Sequence, residues 1–290
     1  MPFSSPTSEL EMDPRPGQLP ILHAGAGGDA PRWAHEHRDA VRAVATNHGC
    51  VLVRGLALRD AAGAGAVFSE LASGLMMFAC LTAPDAGGAT GVADSAEVLR
   101  ALPADLTRRF ERLGWMLIRN YNDEIGASYA EAFGTGDRDA IERYCRANAI
   151  ECAWQPGGGL RTRQRRSAVA HHPVTGERCW FNQIAFLSEW TIDPEVREYL
   201  MDVYGAEGLP FTTCFGDGSP IGPDVVHLLN EVYEVHTVRE PWQAGDLMVV
   251  DNIRAAHGRE PFDGPRDVLA ALADPVRLAD CSPTIEVTAA

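Results

Sequence analysis

Lysine is absent from this chain. All 25 basic residues of its 290 are arginine, set against 40 acids for a net charge of −15. Without an ε-amino group a chain forms no Schiff base, anchors no pyridoxal phosphate and supplies no P-loop lysine. The acidic balance argues against a nucleic-acid partner, which needs a basic face. Other signatures are missing too. There is no C-x-x-C pair, no H-E-x-x-H helix, no G-x-S-x-G elbow, and no G-x-G-x-x-G between a strand and a helix; these absences exclude thiolate zinc sites, zincins, α/β-hydrolases and dinucleotide folds. No stretch approaches the roughly 18 apolar residues of a membrane span. Seven dispersed cysteines read as reduced thiols of a cytoplasmic protein. Glu9, Glu11 and Asp13 stand where a signal peptide would carry basic charge.

What is present is a 46% hydrophobic, 22% charged chain, a globular composition. Residues 1–31 are rich in Pro and carry Gly25-Ala26-Gly27-Gly28, so an irregular segment is expected there, followed by one domain over 32–290. Pro31 suits a first helical turn, Trp33, Val41 and Val44 share a face, and Gly49 stops the helix. Short apolar runs predict strands at 50–55, 75–83, 115–121, 246–251 and 267–273. Further strands are expected at 160–170 and 178–186. Helices are expected near 59–74, 95–101, 103–114, 137–149 and 193–205 and after Pro223. Strands are spread along the chain, and helices interrupt rather than alternate with them. This predicts a mainly β fold, a sandwich or jelly roll with helical insertions.

The segment from Gly245 to Leu269 carries the most chemistry. A strand ends at Asp251, His257 follows at its exit, and Arg266 opens the next strand. A neutral imidazole there suits a metal, and an arginine one strand away suits a carboxylate. A loop histidine and an ion-paired arginine are the plain alternative.

Five stretches in order resemble the Fe(II)/2-oxoglutarate-dependent dioxygenases of the taurine dioxygenase (TauD/TfdA) type, most similarly their branch beside peptide-antibiotic assembly lines. They are Val51-Leu52-Val53-Arg54-Gly55, Gly87-Gly88-Ala89-Thr90, His172-Pro173-Val174-Thr175-Gly176-Glu177, Trp180-Phe181-Asn182-Gln183 and His257 to Arg266. The resemblance implies a double-stranded β-helix (jelly roll), shortened. It implies that His257 is the distal iron ligand, that Arg266 pairs with the far carboxylate of 2-oxoglutarate, and that Thr90 hydrogen-bonds the same co-substrate. The implied activity is hydroxylation of an amino acid, free or tethered to a carrier protein, in peptide natural-product biosynthesis. Asn182 and Gln183 are candidates for holding that substrate. Arg163, alternating with Arg161 and Arg165 beside Arg166, is a candidate for an acidic partner, against the alternative of an ordinary charged sheet face.

The family's remaining iron ligands form an H-x-D or H-x-E pair ahead of the G-G-x-T threonine. Between Gly49 and Thr90 there is no such pair, and upstream His35-Glu36-His37 ends in histidine. The spacing is that of a lost block near Ser73-Gly74, roughly 35–45 residues, several strands' worth of chain at ~3.3 Å per residue. One histidine holds Fe(II) poorly. The expectation is therefore a weakened or broken iron site. By residue type the stand-ins are His171, His172, His236 and Glu70. His171 and His172 read as exposed turn residues, His236 as structural, Glu70 as a solvated helix face, and Asp94 as a helix cap.

Overall fold

A computed structural model describes residues 12–13, 17–25, 28–72, 74–122, 124–273 and 275–285. Along the chain run β1 (Ile21–His23), α1 (Ala30–His48), β2 (Cys50–Arg54), α2 (Ala61–Leu71), β3 (Met76–Thr82), β4 (Thr90–Asp94), α3 (Ser95–Ala101) and α4 (Ala104–Leu113). Next come β5 (Trp115–Tyr121), α5 (Tyr129–Phe133), α6 (Arg138–Ala147), β6 (Glu151–Trp154), β7 (Leu160–Arg166) and α7 (Pro194–Tyr204). The chain finishes with β8 (Phe211–Phe215), α8 (Pro223–His236), β9 (Leu247–Val250), β10 (Ala255–Arg259) and β11 (Asp267–Leu272). The described residues cluster into two compact units. The first holds those up to Val98, His172–Cys179 and Val235–Arg277. The second holds Leu99–His171, Trp180–Glu234 and those from Leu278 onward.

Unit 1 is a layered β structure. Its larger sheet has the order β1-β2-β9-β3-β11, with β1 parallel to β2 and the other pairs antiparallel. Strands β2 and β9 are apolar at nearly every position because both faces are covered. One face presents Val51, Val53, Met77, Ala79, Leu247 and Val249 to Val41 and Ala45 of α1 and Ala64, Val67 and Leu71 of α2. The other presents Leu52, Cys80, Met248 and Val250 to Val92 and Ala255, which belong to a smaller sheet of Thr237–Val238, β4 and β10. Each Leu, Val or Met so buried is worth ~1.5–3 kcal/mol. Two sheets facing across an apolar layer make the expected jelly-roll sandwich. Helix α1 starts on Asp29, whose carboxylate accepts from Arg32 N, has Pro31 in its first turn, and ends on Gly49 at φ +81°. Only residues 72–75 connect α2 to β3, and Ser73, at the expected loss, lies outside the described residues.

Unit 2 carries an antiparallel sheet of order β8-β5-β7-β6. Helices α5 and α6 cover one face, with Ile141 and Cys145 packed against Tyr121 and Leu160. Phe110, Trp180 and Phe215 form an aromatic cluster with ring centroids 4.6–5.2 Å apart.

Three local expectations change. Within the stretch expected to be irregular, Ile21–His23 is a strand, because a parallel ladder with β2 (Ile21 opposite Leu52) completes its hydrogen bonds. The strand expected over 178–186 shrinks to Arg178–Cys179, because Asn182 Oδ1 accepts from Ile184 N at 3.1 Å and turns the chain. The strand expected over 160–170 stops at Arg166.

Candidate cofactor site

The candidate residues sit on the β4–β10 pair and the turns at its two ends. Strand β9 ends at Val250, and the turn after it is held by the Asp251 side chain. Asp251 Oδ1 accepts from Ile253 N (3.1 Å) and Arg254 N (3.2 Å), and its Oδ2 lies 2.8 Å from His172 Nε2. His172 Nδ1 accepts from Thr175 N (3.1 Å) and Val174 N (3.3 Å). Two backbone donors on Nδ1 leave Nε2 to carry the proton that His172 donates to Asp251. His172 is 2% exposed, which corrects the exposed turn residue expected from the Pro-x-Thr-Gly context. The His172–Glu177 turn instead folds onto the start of β10. From the other side, Arg254 binds Asp94 Oδ2 through Nε (3.1 Å) and Nη2 (2.9 Å), and Glu177 through Nη1. Asp94 Oδ1 meanwhile caps α3 at Ala96 N (2.8 Å), as expected. Ser95 Oγ donates to the Ile253 and Arg254 carbonyls.

This scaffold delivers His257 on β10 rather than in a loop. Its Cα partner is Val92, and Thr90 faces Arg259 two residues along. Opposed residues of an antiparallel pair share a face, so Thr90, Val92 and His257 point the same way, between the sheets. The His257 ring meets Phe78 edge-on at 5.2 Å, and its buried Nδ1 has no hydrogen-bond partner. Burial holds this imidazole below its ordinary pKa, leaving a neutral ring with an uncommitted nitrogen. Thr90 is 3% exposed.

Arg266 is placed by the Gly87-Gly88 turn. Both glycines have φ near +65°, and a Cβ on Gly87 would lie 2.4 Å from Pro261 O. Arg266 Nε donates to Gly88 O at 3.1 Å, and the guanidinium lies 5.5 Å from the Phe262 centroid. No carboxylate pairs with it among the described residues. Burial and nearby Arg259 both lower its pKa, the environment of a cation that lacks its anion.

The comparisons with known proteins decide the family. Residues 66–272 match the family described as "Taurine catabolism dioxygenase TauD, TfdA family". The chain belongs to the TauD/TfdA family. It is 35% identical over 209 residues to the dapdiamide synthesis protein DdaC of Enterobacter agglomerans, covering 72% of this chain and 64% of that one. It is 28% identical over 208 residues to the clavaminate synthase-like protein At3g21360 of Arabidopsis thaliana, covering 68% and 59%. The matches thus span less than two thirds of either relative. Among solved structures, AAD-2 in complex with Mn(II) and N-oxalylglycine superposes with a TM-score of 0.55 at 14% identity, covering 96% of this chain and all of that one. PvcB of Pseudomonas aeruginosa does so at 0.55 and 14%, covering 94% of each. These likenesses establish the fold as that of TauD-like oxygenases.

A three-ligand iron centre does not fit the described residues. No three His, Cys, Asp or Glu side chains among them form a group that could hold a metal ion. The stand-ins are committed elsewhere. His172 holds Asp251, His171 Nδ1 lies 2.9 Å from Ser282 O, Glu70 binds His35 at 2.9 Å, and His236 ends α8. A His37-Arg38-Asp39 triplet, overlooked in the sequence, lies within α1, where residues two apart do not share a face.

The substrate candidates belong to unit 2. Asn182 is occupied at both ends, its Nδ2 donating to Ala168 O at 3.0 Å. Gln183 and Arg163 are exposed. Arg161 pairs with Glu207, and Arg165 binds the Leu113 carbonyl.

Asp251, Arg254 and Glu177 carry no assigned role in the sequence and gain one only here. An aspartate two residues before a turn residue, ahead of the site histidine, was the available signal.

Proposed function

We propose that this chain acts in small-molecule natural-product biosynthesis as a 2-oxoglutarate-dependent oxygenase of its family, on an amino-acid substrate that is free or bound to a carrier protein. The observation that carries this is the β4–β10 pair. It holds Thr90 and His257 on one inward face, with Arg266, a half-buried guanidinium lacking an acid, at the adjoining turn. Arg266 suits the far carboxylate of a dicarboxylic 2-oxo acid, and Thr90 suits a hydrogen bond to it. The relatives' names support the biosynthetic setting: dapdiamide synthesis for one, and an isonitrile synthetic pathway for the Fe, alpha-ketoglutarate dependent oxygenase PvcB.

One observation favours a second reading. The resemblance assigns one iron ligand, His257, and no group of three His, Cys, Asp or Glu among the described residues could hold a metal ion. On this reading the chain keeps the carboxylate anchor without the metal, and acts by binding.

Anaerobic addition of Fe(II) and 2-oxoglutarate separates the two. A weak visible charge-transfer band saturating near one equivalent, with about one iron retained after desalting, establishes the oxygenase reading. 2-Oxoglutarate binding that needs Arg266, without band or iron, establishes the second. Binding of neither by the folded chain overturns both.

A further inference from the structure

A cavity of about 550 Å³ lies wholly within unit 2. Its floor is the face of β5 and β7 that the register assigns to Trp115, Leu117, Arg119 and Tyr121 opposite Arg166, Gln164, Thr162 and Leu160. Helices α5 and α6 supply the roof, with Phe133 and Ile141. The volume is that of a small-molecule site.

The lining combines apolar and cationic side chains. Phe133, Ile141 and Ile150 make an apolar wall. Arg166 and Arg119 stand apart on the floor, Arg166 opposite Trp115 and Arg119 opposite Thr162, with Leu117 and Gln164 between them. Arg166 donates from Nε and Nη2 to Gln164 Oε1, the first at 2.8 Å, and its guanidinium lies 5.8 Å from the Trp115 centroid. The Gln164 amide is itself anchored, donating to Asn148 O at 3.0 Å, so it presents its carbonyl to the guanidinium. Arg119 lies 5.0 Å from the Tyr121 centroid. Among the described residues no carboxylate pairs with either arginine. The neighbours that favour the Arg166 charge are the phenols of Tyr144 and Tyr121, and burial outweighs them. Arg161, on the same strand, pairs with Glu207 on the opposite face. A guanidinium withdrawn from water without a counter-charge is costly. A positioned cation of this kind, at a cavity with an apolar wall, suits an incoming anion.

We propose that this cavity binds a small organic carboxylate with an aromatic or branched apolar body, its carboxylate on Arg166 and its body against the Phe133–Ile141 wall. Inorganic phosphate would satisfy the cations and leave the wall unfilled. A neutral analogue would do the reverse.

Calorimetric titration of the full chain tests this with 3-phenylpropionate, 3-phenylpropan-1-ol, acetate and inorganic phosphate. The expected result is one site for 3-phenylpropionate. The alcohol and the Arg166→Gln variant should each bind at least ~10-fold more weakly, a loss of ~1.4 kcal/mol, and acetate and phosphate should bind no better than the alcohol. Arg266→Ala should leave the binding unchanged, which separates this site from the co-substrate anchor. If Arg166→Gln does not fold, Ala140→Trp, which fills the cavity from α6 and keeps both arginines, should abolish binding. Absence of 3-phenylpropionate binding, equal binding of alcohol and acid, phosphate binding as tightly as 3-phenylpropionate, loss of binding with Arg266→Ala, or retention in the folded Arg166→Gln or Ala140→Trp chain would each overturn the proposal.

Discussion

His172 donates its Nε2–H to Asp251 Oδ2 across 2.8 Å, and neither side chain is more than 9% exposed. Asp251 also takes two backbone donors from the turn that starts β10. One carboxylate thereby ties the His172–Glu177 loop to the strand that carries His257. Replacing His172 with Ala leaves a buried carboxylate oxygen without its donor and should cost about 1–3 kcal/mol. His172→Gln, which keeps a donor, should cost less. Urea denaturation midpoints read both. A His172→Ala loss under ~0.5 kcal/mol would mean that the pair holds nothing.

Asp94 has two separable tasks, capping α3 through Oδ1 and binding Arg254 through Oδ2. Asp94→Ala should cost about 2 kcal/mol, since it removes a cap and a charge-assisted bond together. Asp94→Asn keeps an acceptor for the cap and should cost about half as much. Equal losses in thermal unfolding would show that the cap contributes nothing beyond the Arg254 contact.

Gly87 and Gly88 set the height of Arg266. Alanine at Gly87 meets Pro261 O, and alanine at Gly88 crowds Pro84 and Phe262 at 2.7–2.8 Å, both at positive φ. Each substitution should cost about 1–3 kcal/mol and weaken 2-oxoglutarate binding along with stability. Calorimetry of the folded Gly88→Ala chain checks the second point, and unchanged affinity would disconnect the turn from the anchor.

Six of the seven thiols are buried, and burial raises Cys50 to about 12 and Cys80 and Cys179 to about 11 from the ordinary 9.0. A thiol that holds its proton more tightly when folded stabilises the fold below its unfolded pKa. That contribution is lost as pH rises through the window above 9. Stability should therefore fall between pH 9 and 10.5, and less steeply in Cys50→Ala. At pH 8 a thiol reagent should react first with half-exposed Cys152 and reach the six buried cysteines only on unfolding. Rapid labelling of Cys50 in the native chain would contradict its burial.

Much of the fold was legible because its signals are local. Asp29 and Pro31 opening α1, Gly49 closing it, and the apolar runs at Cys50–Arg54 and Leu247–Val250 need only capping and two-sided burial to be read. His257, Thr90 and Arg266 were legible as motif residues, and the structure sets them on one strand pair and its adjoining turn. Long-range pairing was not legible. Ile21–His23 is too short to declare itself and is a strand only because β2 completes its ladder.

The chain alone determined that lysine chemistry is absent and that an H-x-D or H-x-E pair is missing between Gly49 and Thr90, since composition and order need no coordinates. Only the tertiary structure decided that His172 is buried on Asp251 rather than free to replace a ligand. It also decided that Glu70 is spent on His35, and that Arg166 faces a cavity while Arg161 faces Glu207. The reason is physical. A side chain's partner is set by which surfaces meet after the chain closes over distances of tens of residues, and nothing local in sequence encodes that meeting.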